Sequence, residues 1–400
     1  MKRLNKGIYI LLCIFFLGIM ACPAYSEFIN VGVLLPLSGK LEPSGRIEQQ
    51  AFSMAADEIN AAGAIYGKKI KLIIKDTGSE VKKGRTAIEN LINHDKAIVI
   101  SGGCSSSAVW AASEEAQQKG IPFLVTTASD DKITETGREY IFRLNQPSSE
   151  HLDALSSFIS NTAKTSPVKT AGIIFENSVG TYGARKFIKF CKRMGIKIVF
   201  KEDYSSGEID LERISRRIEI KNPDLIYLVP DKMDISLFMQ NIKALVRKPK
   251  LLVLHSGNLN LQEIEQNGSD FIEYMCSISL WSPSLPYPEA REFHNKFLSR
   301  YGSQPDYHAA QAYSSMYVIL DALKRAESLT PSGLRDALSL TDMMTAFGPV
   351  RFISYGKKSQ QNRIPSFMVQ WINGRFEPVW PKELAIFRYV YPMPGWIEKE

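Results

Sequence analysis

Two hydroxyl-rich loops hold the residues best suited to grip an anion. Ser101-Gly102-Gly103-Cys104-Ser105-Ser106-Ser107 follows a short apolar run and opens a helical pattern, so its hydroxyls and N–H groups could hold a carboxylate. A Ser at a helix start also caps the helix with no ligand at all. Thr126-Thr127-Ala128-Ser129-Asp130 makes the same offer after the next apolar run. Cys104 stands before a helix, a place that activates thiols. A nucleophile needs a base, however, and none of His94, His151, His255, His294 and His308 stands in a nucleophile motif. These histidines also lack i, i+4 pairing or C-x-x-C companions, so no metal site and no catalytic residue is assigned. Leu35-Pro36-Leu37-Ser38-Gly39 lacks the later glycines of a dinucleotide fingerprint, and no G-x-x-x-x-G-K-[ST] occurs. The residues favour binding over turnover, with no cofactor.

The elements that must position these loops alternate between short apolar runs and amphipathic stretches, the mark of an α/β chain. Ile29–Leu35 reads as a strand buried on both faces, and 48–62 as a helix with Ala51, Ala55 and Ile59 on one stripe. The unit repeats through 70–74 and 81–93, 97–100 and 108–119, then 123–125. Asn145-Gln146-Pro147-Ser148-Ser149 suits a crossing between domains. A second series follows, with strands at 171–175, 197–200, 225–229 and 251–254 and helices between them. After 272–280 come helices near 288–301, 306–326 and 331–338, then strands near Val350, 368–371 and 376–380, whose pairing the pattern leaves open. Two doubly wound parallel sheets present their functional loops at the strands' carboxyl ends, and facing halves bring them to one cleft.

Length and composition agree. The chain has 400 residues, 44% hydrophobic and 23% charged, which excludes disorder and suggests two domains. Of the formal charge of +7, three units come from Lys2, Arg3 and Lys6, so nothing demands nucleic acid. Those residues precede the apolar run 8–20 and Ala24-Tyr25-Ser26, the succession of a signal peptide spanning 1–26. A rival reading acylates Cys22 as a lipoprotein anchor. Removal of the leader leaves Cys104, Cys191 and Cys276, an odd number, so at least one thiol is free or bonds another molecule.

INVGVLLPLSG, AADEINAAG, YGKKIKL, the CSSS and TTASDDKIT loops, ENSVGTYGARK and INGRFEPVWPKELA, in this order, resemble the leucine/isoleucine/valine-binding family of periplasmic solute receptors from about Phe28 to Trp396. The resemblance implies the type I periplasmic binding protein fold: α/β, two doubly wound parallel-sheet lobes joined by a hinge around a central ligand cleft. It implies lobe 1 at 27–146 plus 280–348 and lobe 2 at 147–279 plus 349–400. It also implies a periplasmic monomer that is not an enzyme, closing on a small amino acid, branched-chain or related, and delivering it to an ABC permease in the inner membrane. The alternatives are another small carboxylate such as an aromatic acid, or a sensory protein of the same fold.

The family's ligand-gripping positions match Ser105, with Ser106 beside it, then Ala128 and Ser129, while Tyr182 matches the tyrosine that closes over the ligand. Where the family's amino-acid binders carry an acid for the α-ammonium, this chain has Ser256, so Asp231 and Glu176 are the substitutes. Ser44 stands where an aromatic residue is frequent, which widens the pocket, and Ser38 lies in the loop after the first strand. The cysteine partner the family supplies for Cys104 is Ser79 here, so that disulfide is absent.

Overall fold

The computed structural model describes residues 28–63, 65–178, 180–230, 234–255 and 273–395. The leader, Cys22, Asp231 and Ser256 lie outside them. Fifteen strands in the described residues form two sheets. The first has the order β11-β12-β13-β5-β4-β3-β1-β2. Its strands are β1 (Phe28–Leu35), β2 (Lys69–Asp76), β3 (Val99–Gly102), β4 (Phe123–Val125), β5 (Ile141–Arg143), β11 (Asp342–Thr345), β12 (Gly348–Tyr355) and β13 (Lys358–Asn362). The second has the order β15-β14-β10-β9-β8-β6-β7. It comprises β6 (Thr170–Glu176), β7 (Lys197–Tyr204), β8 (Leu225–Val229), β9 (Leu251–Leu254), β10 (Cys276–Ser279), β14 (Phe367–Ile372) and β15 (Arg375–Trp380).

Each sheet is parallel through its centre and antiparallel at one edge: β11 and β12 close the first, β14 and β15 the second. Both faces of each sheet are covered, because the strands alternate their apolar side chains between two layers. Ile29, Val31, Val33 and Leu35 pack under α1 (Glu42–Ala61), α8 (Ala290–Tyr301), α9 (Tyr307–Arg325) and α10 (Pro331–Ser339). Leu34, Ile100, Phe123 and Val125 face α2 (Val81–Asn93) and α3 (Ser106–Lys119). In the second lobe Ile174, Leu228 and Leu252 pack against α6 (Leu211–Lys221) and α7 (Ile235–Lys243), while Ile173, Tyr227 and Val253 pack against α4 (Asp153–Thr162) and α5 (Thr181–Met194).

One expected boundary moves. The expected second-lobe segment 349–400 takes in the strand near Val350, yet β12 and β13 extend the first sheet, and the chain crosses only after Asn362. The reason is polar. Gln361 accepts from Arg143 Nε at 2.7 Å and donates to the Asn145 carbonyl at 2.7 Å, tying β13 to β5 at the crossing.

Candidate functional site

Between the sheets' carboxyl ends lies a cavity of about 310 Å³. Its walls come from the ends of strands and the starts of helices. Cys104 follows β3, Thr127 and Ser129 follow β4, and Asn145, Gln146, Ser148 and His151 follow β5. From the second lobe come Tyr227 and Val229 on β8, His255 after β9, and Tyr182 and Lys186 on α5. Ser44 stands in the first turn of α1, while Asp306, Tyr307 and His308 open α9.

Lys186 brings the cation. It lies one turn beyond Tyr182, so the two share a face of α5, and its Nζ is 5.3 Å from the tyrosine ring. That Nζ donates to Ser148 Oγ at 3.0 Å. No carboxylate pairs with it among the described residues. The start of α5 adds to its field: Gly180, the N-cap, has no side chain to engage the first-turn N–H groups. The helix also sits close against β9, since a Cβ at Gly183 would stand 3.0 Å from His255 Nε2.

The chain just past the crossing and the end of β9 supply two neutral imidazoles. His151 and His255 meet edge to face at 5.5 Å, and Tyr227 Oη is 2.8 Å from His255 Nδ1. Burial, with Lys186 nearby, pushes His151 down to about 4. Burial and His151 push His255 down to about 3. Both rings therefore act as uncharged walls at neutral pH.

The first lobe's floor is a compact group of charges. Asp306 caps α9 by accepting from the N–H groups of His308 and Ala309 at 2.9 and 3.2 Å, and its other oxygen takes His308 Nδ1 at 2.9 Å. Burial opposes charge on His308, but Asp306 and Glu48 more than offset it and raise its pKa. Burial likewise opposes ionisation of Asp306, and His308 with the two N–H groups overcomes it, holding that carboxyl below its ordinary range. Glu48 on α1 is fully buried behind the wall, where it accepts from Cys104 Sγ at 2.6 Å and from Thr126 and Thr127 hydroxyls at 2.8 Å each. Burial raises its pKa despite those donors. Burial and Glu48 push the Cys104 thiol well above its usual range, the opposite of an activated nucleophile.

Of the residues expected to touch the ligand, Ser44, Ser129 and Tyr182 line the cavity. Ser105, Ser106, Ala128, Ser38 and Glu176 do not, for local reasons. Ser105 caps α3, its Oγ facing Ala108 N at 3.5 Å, and Ser106 Oγ accepts from Asp130 N at 3.2 Å. Ala128 is fully buried with its N–H on the Gly103 carbonyl at 2.8 Å. Ser38 donates to Asp76, and Glu176 accepts from the Ser178 N–H and hydroxyl. Asp231 and Ser256 lie outside the described residues. Sequence reasoning missed Lys186 and Asp306 and gave His151, His255 and His308 no binding role; only Lys186 carried a signal, its i+4 spacing from Tyr182. Cys104, Cys191 and Cys276 are all free; for Cys104 this is what the serine at position 79 implies.

The family model for periplasmic binding proteins matches residues 29–375. The Leu/Ile/Val-binding protein homolog 8 of Brucella abortus is 29% identical over 375 residues, covering 90% of this chain and 92% of that protein. Two solved structures share the fold. The branched-chain amino acid transporter substrate binding protein LivJ from Streptococcus pneumoniae, in complex with isoleucine, is 24% identical with a TM-score of 0.72, covering 88% of this chain and 100% of that one. A solute binding protein of an ABC transporter from Rhodopseudomonas palustris, in complex with 3,4-dihydroxy benzoic acid, is 19% identical with a TM-score of 0.71, covering 92% and 99%. With two facing α/β lobes, a cleft at their strand ends and a family match over most of its length, the chain belongs to the periplasmic binding protein family.

Proposed function

We propose that this chain is the extracytoplasmic solute-binding receptor of an ABC importer, and that its lobes close on a small carboxylate whose remainder is apolar or aromatic. The observation that carries the reading is Lys186, a cation facing the cavity beside a helix start, with no carboxylate partner among the described residues. A cation in a partly buried cleft favours an anionic ligand. Around it stand Tyr182, Tyr227, Trp281 and Tyr307, rings suited to an apolar or aromatic body. The inert Cys104 supports binding without turnover. The basic, apolar and small-residue succession of 1–26 supports export, and among the described residues no helix is long and apolar enough to cross a membrane. A permease is the partner such a receptor serves.

A branched-chain amino acid is the second reading, favoured by the name of the Brucella relative. It needs an anion for the α-ammonium, because an unpaired buried ammonium costs several kcal/mol. Glu176 faces Ser178, and the oxygens of Asp306 and Glu48 already accept from protein donors. The described cavity therefore suits an acid without an amine better. A thermal-shift panel on the mature chain with benzoate, phenylacetate, leucine, isoleucine and valine tests this, since a ligand at 100 times its Kd adds about 2.7 kcal/mol. A rise with an aromatic acid is expected. A rise with the amino acids alone replaces this reading with the second, and no rise with any of them contradicts both.

A further inference from the structure

Among the first-lobe polar groups that line the cavity, His308 is the imidazole whose orientation is fixed by a carboxylate. Its Nδ1 is engaged by Asp306 Oδ2 at 2.9 Å, and no other hydrogen bond to the ring is formed among the described residues, so Nε2 is left for a group in the cavity. Lys186 faces the same cavity from the opposite lobe. We infer that the ligand is held at two ends, its carboxylate on Lys186 and a hydroxyl on His308 Nε2, which makes hydroxylated aromatic acids the preferred class. The inference rests on the carboxylate reading above and adds the second end.

The choice of a hydroxyl follows from what lies behind the imidazole. An imidazole held through Nδ1 presents a lone pair at Nε2 when neutral and an N–H when protonated. A hydroxyl answers both states, by donating to the first and accepting from the second. A second carboxylate answers only the protonated state, and it would approach Asp306 and the buried Glu48, two acids facing one imidazole. An ammonium would compete with the donors that already occupy those acids: the Asp306 cap and the Cys104, Thr126 and Thr127 contacts to Glu48. The aromatic body follows from the rings that line the same cavity, with Tyr227 fixed by stacking on Phe187 at 4.0 Å and Trp281 by its Nε1 bond to the Ala346 carbonyl at 2.8 Å. A ligand gripped from both lobes also stabilises their closed arrangement, because the second contact exists only there.

The test is calorimetric titration of the mature chain with benzoate and the three monohydroxybenzoates, in wild type, His308→Phe, His308→Gln and Lys186→Met. One hydroxybenzoate isomer is expected to bind wild type roughly 10-fold or more tighter than benzoate, the range of one hydrogen bond to a charged group. His308→Phe should erase that preference and leave benzoate within about threefold of its wild-type affinity, while His308→Gln, which keeps a polar atom, should retain part of it. Lys186→Met should weaken all four acids alike. Equal or tighter binding of benzoate to wild type overturns the hydroxyl assignment alone, as does a preference that survives at its full extent in folded His308→Phe. Failure of all four acids to bind, or binding that ignores Lys186→Met, overturns the carboxylate reading and this inference with it.

Discussion

At the residue scale, the cavity separates side chains that bind from those that only hold the wall. Lys186→Met removes the cation without touching a core layer, so it should weaken carboxylate binding by roughly 10- to 100-fold while the ligand-free melting point stays put, as read by calorimetry beside thermal melting. Ser105 and Ser129 make a contrasting pair. Ser105→Ala should cost about 0.5 to 1 kcal/mol of stability through a lost cap and leave affinity alone; Ser129→Ala should weaken binding with little effect on melting. If Ser105→Ala weakened binding and left stability unchanged, its place outside the cavity lining would be contradicted. The hydroxyl loops were legible because a run of serines and threonines after an apolar segment is visible locally. The charged groups were not: Lys186 and His308 are 122 positions apart in the numbering, and nothing local shows that two helix starts face one space.

At the element scale, the joint between the lobes is a polar lattice around Asp131, in the turn after β4. Its carboxylate accepts from Ser148 Oγ at 2.8 Å, from Ser149, and from Lys358 of β13 at 3.2 Å. Burial works against its charge, but those donors hold its pKa down to about 2. A carboxyl depressed in the folded state stabilises it above the unfolded pKa of about 3.9 and loses that contribution as pH falls through the folded value. Asp131→Asn should therefore lower stability by about 1 to 2 kcal/mol at pH 7, after allowance for solvent screening, and should flatten the loss between about pH 4 and pH 2. Denaturant melts across that range decide it; a variant whose acid limb keeps its wild-type slope would remove Asp131 from the joint. A second prediction concerns the end of β3. Gly102 has φ of +102°, and a Cβ there would stand 2.4 Å from the Leu34 carbonyl oxygen, so Gly102→Ala should destabilise by about 2 kcal/mol or more in the same melts.

The parallel strands of both sheets were legible because burial on both faces writes continuous apolar runs such as Ile29–Leu35 and Leu225–Val229. β13 was not, since Lys358–Asn362 contains no apolar residue. Its place depends on Gln361 meeting Arg143 and the Asn145 carbonyl, partners more than 200 positions away in the chain. The boundary after residue 348 moved for that reason.

At the scale of the whole molecule, two covered sheets face each other across a cavity whose charges are divided between lobes. The cation lies on α5 of one lobe, and the Asp306–His308 pair opens α9 of the other. A ligand that touches both lobes shifts the open and closed populations by its additional contacts, and a nearly complete reversal needs about 5.5 kcal/mol. A charged contact at Lys186 and the burial of an aromatic ring are of that order together. Solution scattering should accordingly show a smaller radius of gyration when the acid is added, and no change in Lys186→Met at the same concentration. Compaction of that variant to the wild-type extent would mean that closure does not depend on the cation. The most direct test of the central claim is native mass spectrometry of the protein as isolated from cells that express it, followed by identification of what denaturation releases. The account predicts one unmodified carboxylate-bearing molecule per wild-type chain and markedly lower occupancy of Lys186→Met; a released molecule without a carboxylate, or equal occupancy of the two proteins, would contradict it.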